Sequence, residues 1–173
     1  MGQGVTVPNL AGNGLITGIG QAGDRLQSCS AVVMVNTVTG AAGLFHFPAG
    51  DINNDMASQA RLIAMWTAVA PNWVRIAWGV VGMNRNDPFY IEPFARQQAA
   101  WIDALRDFLL GLVPAVGQVS LAPAQTGVAW VRLVGGVPQI GGTHQPPAPD
   151  FIGLLDLRNT PAGPHAGYTT YGP

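Results

Sequence analysis

The sequence predicts a single-domain, mixed α/β (α+β) layered fold in which about two main helices pack on one face of a mixed β-sheet. Three observations lead there. The chain has 173 residues, enough for one sizeable core and short for two. Two long stretches repeat apolar residues at helical spacing, and several short β-branched runs stand between clusters of Gly, Pro and Asn. Their order of strand, strand, strand, helix, strand, helix, strands suits helices laid on a sheet.

The elements follow from local chemistry. Residues 1–13 read as a Gly- and Asn-rich lead, 14–20 as a short apolar strand, and 21–28 as a loop that delivers Cys29. Residues 30–35 and 41–47 are apolar and suit two strands of a hairpin, because Asn36-Thr37-Val38-Thr39-Gly40 between them is turn-forming. Asn54 or Asp55 can cap a helix whose apolar stripe is Met56, Ile63, Ala64, Trp66 and Ala70, with Ser58, Gln59 and Arg61 on the exposed side and Pro71 as the stop. A buried strand over 73–81 and a polar turn over 82–88 come next. The clearest helix runs from Glu92-Pro93 to Gly111, with Phe94, Trp101, Leu105, Phe108, Leu109 and Leu112 as its core face. Strands are expected at 116–121 and 127–134. Residues 1–140 form the expected domain, and 141–173 a Gly/Pro-rich extension packed on it or trailing from it, with one apolar island at 151–157 and an extended tail.

Composition excludes several classes of function. Only 10% of residues are charged and the net charge is −1, so no basic stripe is available to hold phosphates and nucleic acid is not an expected partner. All eight cations are arginines, a pattern that base composition explains and that would also spare the protein lysine ubiquitination in a eukaryotic host. A single cysteine rules out an internal disulfide. His46, His144 and His165 are too scattered to suggest a metal site, and no cofactor is expected. No leader-like segment and no apolar run of about 20 residues is present. The expected location is therefore the cytoplasm of the producing cell, without membrane insertion, with export through an apparatus that needs no signal peptide left open. Nothing in the sequence sets the oligomeric state.

The chemistry-bearing feature is Cys29 with His46 one hairpin away. If the turn centres near Val38 and Thr39, His46 lies across from Ala31. Cys29 shares a face with Ala31 because strand side chains alternate, which makes Cys29 and His46 diagonal neighbours roughly 7–8 Å apart at the backbone. A thiol with an ordinary pKa of about 8.5 needs a base to become a nucleophile, and an imidazole supplies one. The reaction class is acyl transfer through a thioester. From pattern alone, a cysteine opening an apolar strand is more often a small buried hydrophobe, and a histidine between Phe45 and Phe47 is often a core residue.

The segment Ser28-Cys29-Ser30-Ala31-Val32-Val33, followed after a turn by Gly43-Leu44-Phe45-His46-Phe47-Pro48-Ala49-Gly50, resembles the active-site hairpin of the CheD-like chemoreceptor glutamine deamidases. More distantly, Leu26-Gln27-Ser28-Cys29 resembles the signature of the cytotoxic necrotizing factor toxins. The resemblance implies a protein-glutamine deamidase with Cys29 as nucleophile and His46 as general acid and base, acting on a partner protein that carries a reactive glutamine. Two positions depart from the family. Gly23 stands where a threonine orients the histidine, so Thr17 or a main-chain carbonyl takes that role; Gln27 replaces a glycine. Gln27, Ser28 and the Cys29 backbone N–H are the candidate oxyanion and substrate contacts. Asp51 can orient the imidazole or cap a helix. Two destinations fit, a foreign protein reached by a secreted bacterial effector or toxin, and the bacterium's own chemoreceptor, with the effector slightly favoured. The rivals are a cysteine protease or transglutaminase, and a non-catalytic binding or structural protein with a buried Cys/His pair.

Overall fold

Alternation along one hairpin divides the core of this protein in two. A computed structural model describes residues 2–10, 14–18, 29–79, 91–121, 128–143, 151–156 and 169–172. β3 (Ser30–Val35) and β4 (Ala42–Phe47) are antiparallel and buried along their whole length. A strand buried on both faces reads as a continuous apolar run, as β3 does. Val32, Met34, Phe45 and Phe47 point into one core, and Val33, Val35, Ala42 and Leu44 into another.

The hairpin sits inside a six-stranded sheet. β1 (Gln3–Val7), β5 (Trp73–Gly79), β6 (Gly117–Leu121) and β10 (Thr169–Tyr171) complete it in the order β10-β1-β4-β3-β5-β6, with β5 and β6 parallel and the other pairs antiparallel. A second sheet has the order β8-β7-β2-β9, built from β2 (Gly14–Gly18), β7 (Val128–Val134), β8 (Val137–Thr143) and β9 (Phe151–Asp156). Its β7 contributes Ala129 and Val131 to the core between the sheets. The other face of the first sheet carries both helices, α1 (Met56–Val69) and α2 (Glu92–Leu110). The result is a mixed α/β domain of three layers: helices, first sheet, second sheet.

Local chemistry sets the connections. Asn36 organises the β3–β4 turn, its side-chain oxygen accepting from the Val38 and Thr39 N–H groups and its amide donating to the Ala70 carbonyl at the end of α1. Gly135 and Gly136, at φ of 56° and 79°, make a two-residue turn between β7 and β8 of the kind that needs positive φ at both positions. Asp55 caps α1, accepting from the Ser58 N–H at 2.9 Å and the Ser58 hydroxyl at 2.6 Å.

The structure departs from the sequence reading in several places. Residues 3–7, expected in a glycine-rich lead, form β1. Gly4 of β1 and Gly43 of β4 face α1, and a Cβ at Gly4 would overlap the Met65 sulfur and the Phe45 ring, so glycine is what lets the helix settle onto the sheet. The buried face of α1 is Ser58, Leu62, Met65 and Val69, while Met56, Ile63, Ala64 and Ala70 are exposed. Ser58 is buried because its hydroxyl accepts the Gly2 N–H at 2.7 Å, and α1 is apolar on so many sides that periodicity could not choose between faces. On α2, Ala95, Gln98 and Ile102 join Leu105 and Leu109 on the buried side, while Phe94 and Trp101 are half-buried. Finally, the expected single sheet is two, and the late strands β9 and β10 each add to one of them, pairing with β2 and β1.

Candidate functional site

The site begins at the first residue before β3. Ala31 pairs with His46 of β4 on one side and with Ala77 of β5 on the other, so these three side chains share the face turned to the second sheet. Ala129 of β7 meets them from across the gap, and Ala31, Ala77 and Ala129 form a small fully buried cluster with Cys29 and Ile140 packed against it. Three small side chains thus meet between the stacked sheets, one each from β3, β5 and β7. Cys29 is half-buried at this end of the strand. Gln3 of β1 flanks His46 in register on its other side.

His46 is 0% exposed. Neither ring nitrogen has a hydrogen-bond partner among the described residues. Burial disfavours the charged imidazole, and with a smaller contribution from the positive chain terminus it lowers the pKa from 6.5 to about 4. The ring is therefore neutral at pH 7, with one nitrogen carrying a lone pair and the other a proton.

The remaining sequence candidates are placed unevenly. Thr17 belongs to β2, where its backbone is opposite Ala129 of β7. Gln27, Ser28, His144 and His165 lie outside the described residues. Asp51 accepts from the Asn53 N–H at 2.9 Å and caps the 3-10 turn Ile52–Asn54, which gives it the capping role of the two expected. Sequence reasoning missed Ala77 and Ala129. Ala77 could have been found from the alternation of β5, whereas Ala129 reaches the site only through the stacking of the sheets.

The chain matches no family model, no curated protein and no solved structure. Among the described residues, no helix is long and apolar enough to cross a membrane, and no three His, Cys, Asp or Glu side chains cluster as metal ligands. The site brings one thiol and one neutral imidazole beside Ala31, Ala77 and Ala129, with the thiol at the half-buried end.

Proposed function

We propose that this chain is a cysteine-dependent protein-glutamine deamidase, acting as an exported bacterial effector on a foreign protein. The observation that carries the reading is the pairing of Ala31 with His46, since it sets the imidazole and the Cys29 thiol on one face of neighbouring strands at a diagonal that side chains can span. Support also comes from the protonation state, because a general base has to be neutral before it acts. Cys29 Sγ attacks the carboxamide carbon as His46 takes the thiol proton. His46 returns that proton to the departing ammonia, and a water that it then deprotonates hydrolyses the thioester, leaving glutamate and the thiol.

Converting a neutral amide into a carboxylate changes the charge of a target interface. The effector destination is preferred to a chemoreceptor one because the residues before Cys29 diverge from the chemoreceptor pattern and the C-terminal third is rich in Gly and Pro.

A specific observation favours a second reading, in which the protein binds or assembles without catalysis. His46 is wholly enclosed, and an imidazole of pKa about 4 is a weak acceptor for a thiol proton. In that reading Cys29 and His46 are core residues.

One experiment separates the two. Wild type and Cys29→Ala are incubated with bacterial and host cell extracts, and glutamine-to-glutamate conversions are mapped by mass spectrometry. Conversions made by the wild type alone support the deamidase; identical maps with the two proteins reject it, and peptide-bond cleavage identifies a protease instead.

A further inference from the structure

The feature that catalysis leaves unexplained is the isolation of His46. A buried polar atom without a partner costs about 1–3 kcal/mol, and here both ring nitrogens lack one among the described residues. Something that accepts a lone pair would satisfy one of them.

We propose that Cys29 and His46 are the two ligands of a site for a soft monovalent cation, copper(I) in chemical type, held between the sheets beside Ala31, Ala77 and Ala129. This departs from the expectation of no metal, which rested on the scatter of the three histidines and not on the Cys–His pair.

Three observations choose the ion. The first is ligand number: no cluster of three or more candidate ligands exists among the described residues, whereas structural zinc takes four. A thiolate with an imidazole suits a soft ion content with few ligands. The second is charge. Ala31, Ala77, Ala129 and Ile140 pack beside Cys29, and apolar side chains of this kind do not compensate a buried net charge. A thiolate, a neutral imidazole and a monovalent cation sum to zero; a divalent cation would leave one positive charge enclosed. The third is reach. Metal–sulfur and metal–nitrogen bonds of about 2 Å each place the two ligand atoms roughly 4 Å apart, a span that side chains on diagonal strand positions can close.

Binding involves no change of oxidation state. The Cys29 S–H bond breaks, its proton leaves to solvent, a sulfur–metal bond forms, and one His46 nitrogen donates its lone pair to the same ion. The half-buried thiol is the point of entry. The inference uses the same two side chains as the proposed hydrolase but not their catalysis; if both hold, the bound ion occupies the nucleophile and silences it.

The test is an anaerobic titration of the full chain with copper(I) against a chromophoric chelator. The expected result is one tightly held equivalent, with thiolate-to-copper absorption in the ultraviolet and a raised melting temperature. Cys29→Ser should abolish binding. His46→Leu, chosen to keep the core apolar, should weaken it by about tenfold or more, at least the loss that follows removal of an outer-shell partner. X-ray absorption of the wild-type complex should show one sulfur and one nitrogen scatterer, a readout independent of any variant's folding. Absence of stoichiometric binding, equal affinity in wild type and a folded His46→Leu, or a spectrum without nitrogen would each overturn the site. None of these readouts involves a glutamine substrate, so failure of the deamidase reading leaves them unchanged.

Discussion

Ala31 of β3 stands opposite His46 of β4, and this one pairing puts the imidazole two strand positions from Cys29 on the side facing the second sheet. Slipping the hairpin by one residue would send His46 into the helix-side core and Phe45 and Phe47 toward the second sheet. The register is therefore held by the two cores, and the site depends on it.

His46 should make stability depend on pH. Its pKa is 6.5 when exposed and about 4 when folded, so the folded state gains from the neutral ring fully above pH 6.5. Between pH 6.5 and 4 the unfolded chain takes up the proton and that gain is lost, by about 3 kcal/mol in all. Urea unfolding of wild type should show this fall, and His46→Leu should flatten it. Asp55 titrates in a lower window: burial raises its pKa, but the hydrogen bonds from Ser58 outweigh burial and hold it below its ordinary 3.8.

If the pair is catalytic, the acid limb of the pH–rate profile should fall near 4 and not near 6.5. A rate profile of glutamate formation between pH 3.5 and 8 checks it. An inflection at an ordinary histidine value would mean that the base is a group other than His46, or that His46 is not enclosed in the working enzyme.

Gly4→Ala should destabilise the protein by about 1–3 kcal/mol, the usual cost of overpacking, because the added carbon meets Met65 and Phe45 beneath α1. Met65→Ala on its own should be destabilising through the cavity it leaves. The double variant should be more stable than the sum of the two single losses predicts, since the new methyl occupies part of the cavity. Denaturant midpoints of the four proteins read the coupling.

Ala70 ends α1 in the left-handed region, at φ 45° and ψ 58°. Glycine adopts this conformation without penalty, so Ala70→Gly should raise stability by about 1 kcal/mol, and a melting curve will show it. Unchanged or lower stability would mean that the exposed methyl makes a contact worth more than the strain.

Ser58 links the chain's first described residues to α1, accepting the Gly2 N–H while it donates to Asp55. Ser58→Ala leaves a buried N–H unpaired and should cost about 1–3 kcal/mol. Hydrogen exchange should quicken along β1 before the rest of the sheet.

Several of these features were legible before any coordinates. Turn chemistry at 36–40 and the apolar runs beside it were sufficient to pair Ala31 with His46, and Pro93, Gly111 and Asp55 marked helix ends where the structure has them. The misreadings have separate physical causes. β1 was hidden because its glycines answer to a helix that approaches from elsewhere in the chain, and the buried side of α1 was hidden because its exposed side is nearly as apolar. The alanine cluster around Cys29 draws on β3, β5 and β7, and no local pattern announces such a meeting.

The sequence alone determined the mixed α/β class, the hairpin and its register, and with them the common face of Cys29 and His46, because strand alternation and turn geometry act over a few residues. The tertiary structure decided that this face is the inner one, roofed by a second sheet that encloses the imidazole and lowers its pKa. Enclosure is a sum over strands far apart in the chain, and only the packing of whole sheets supplies it.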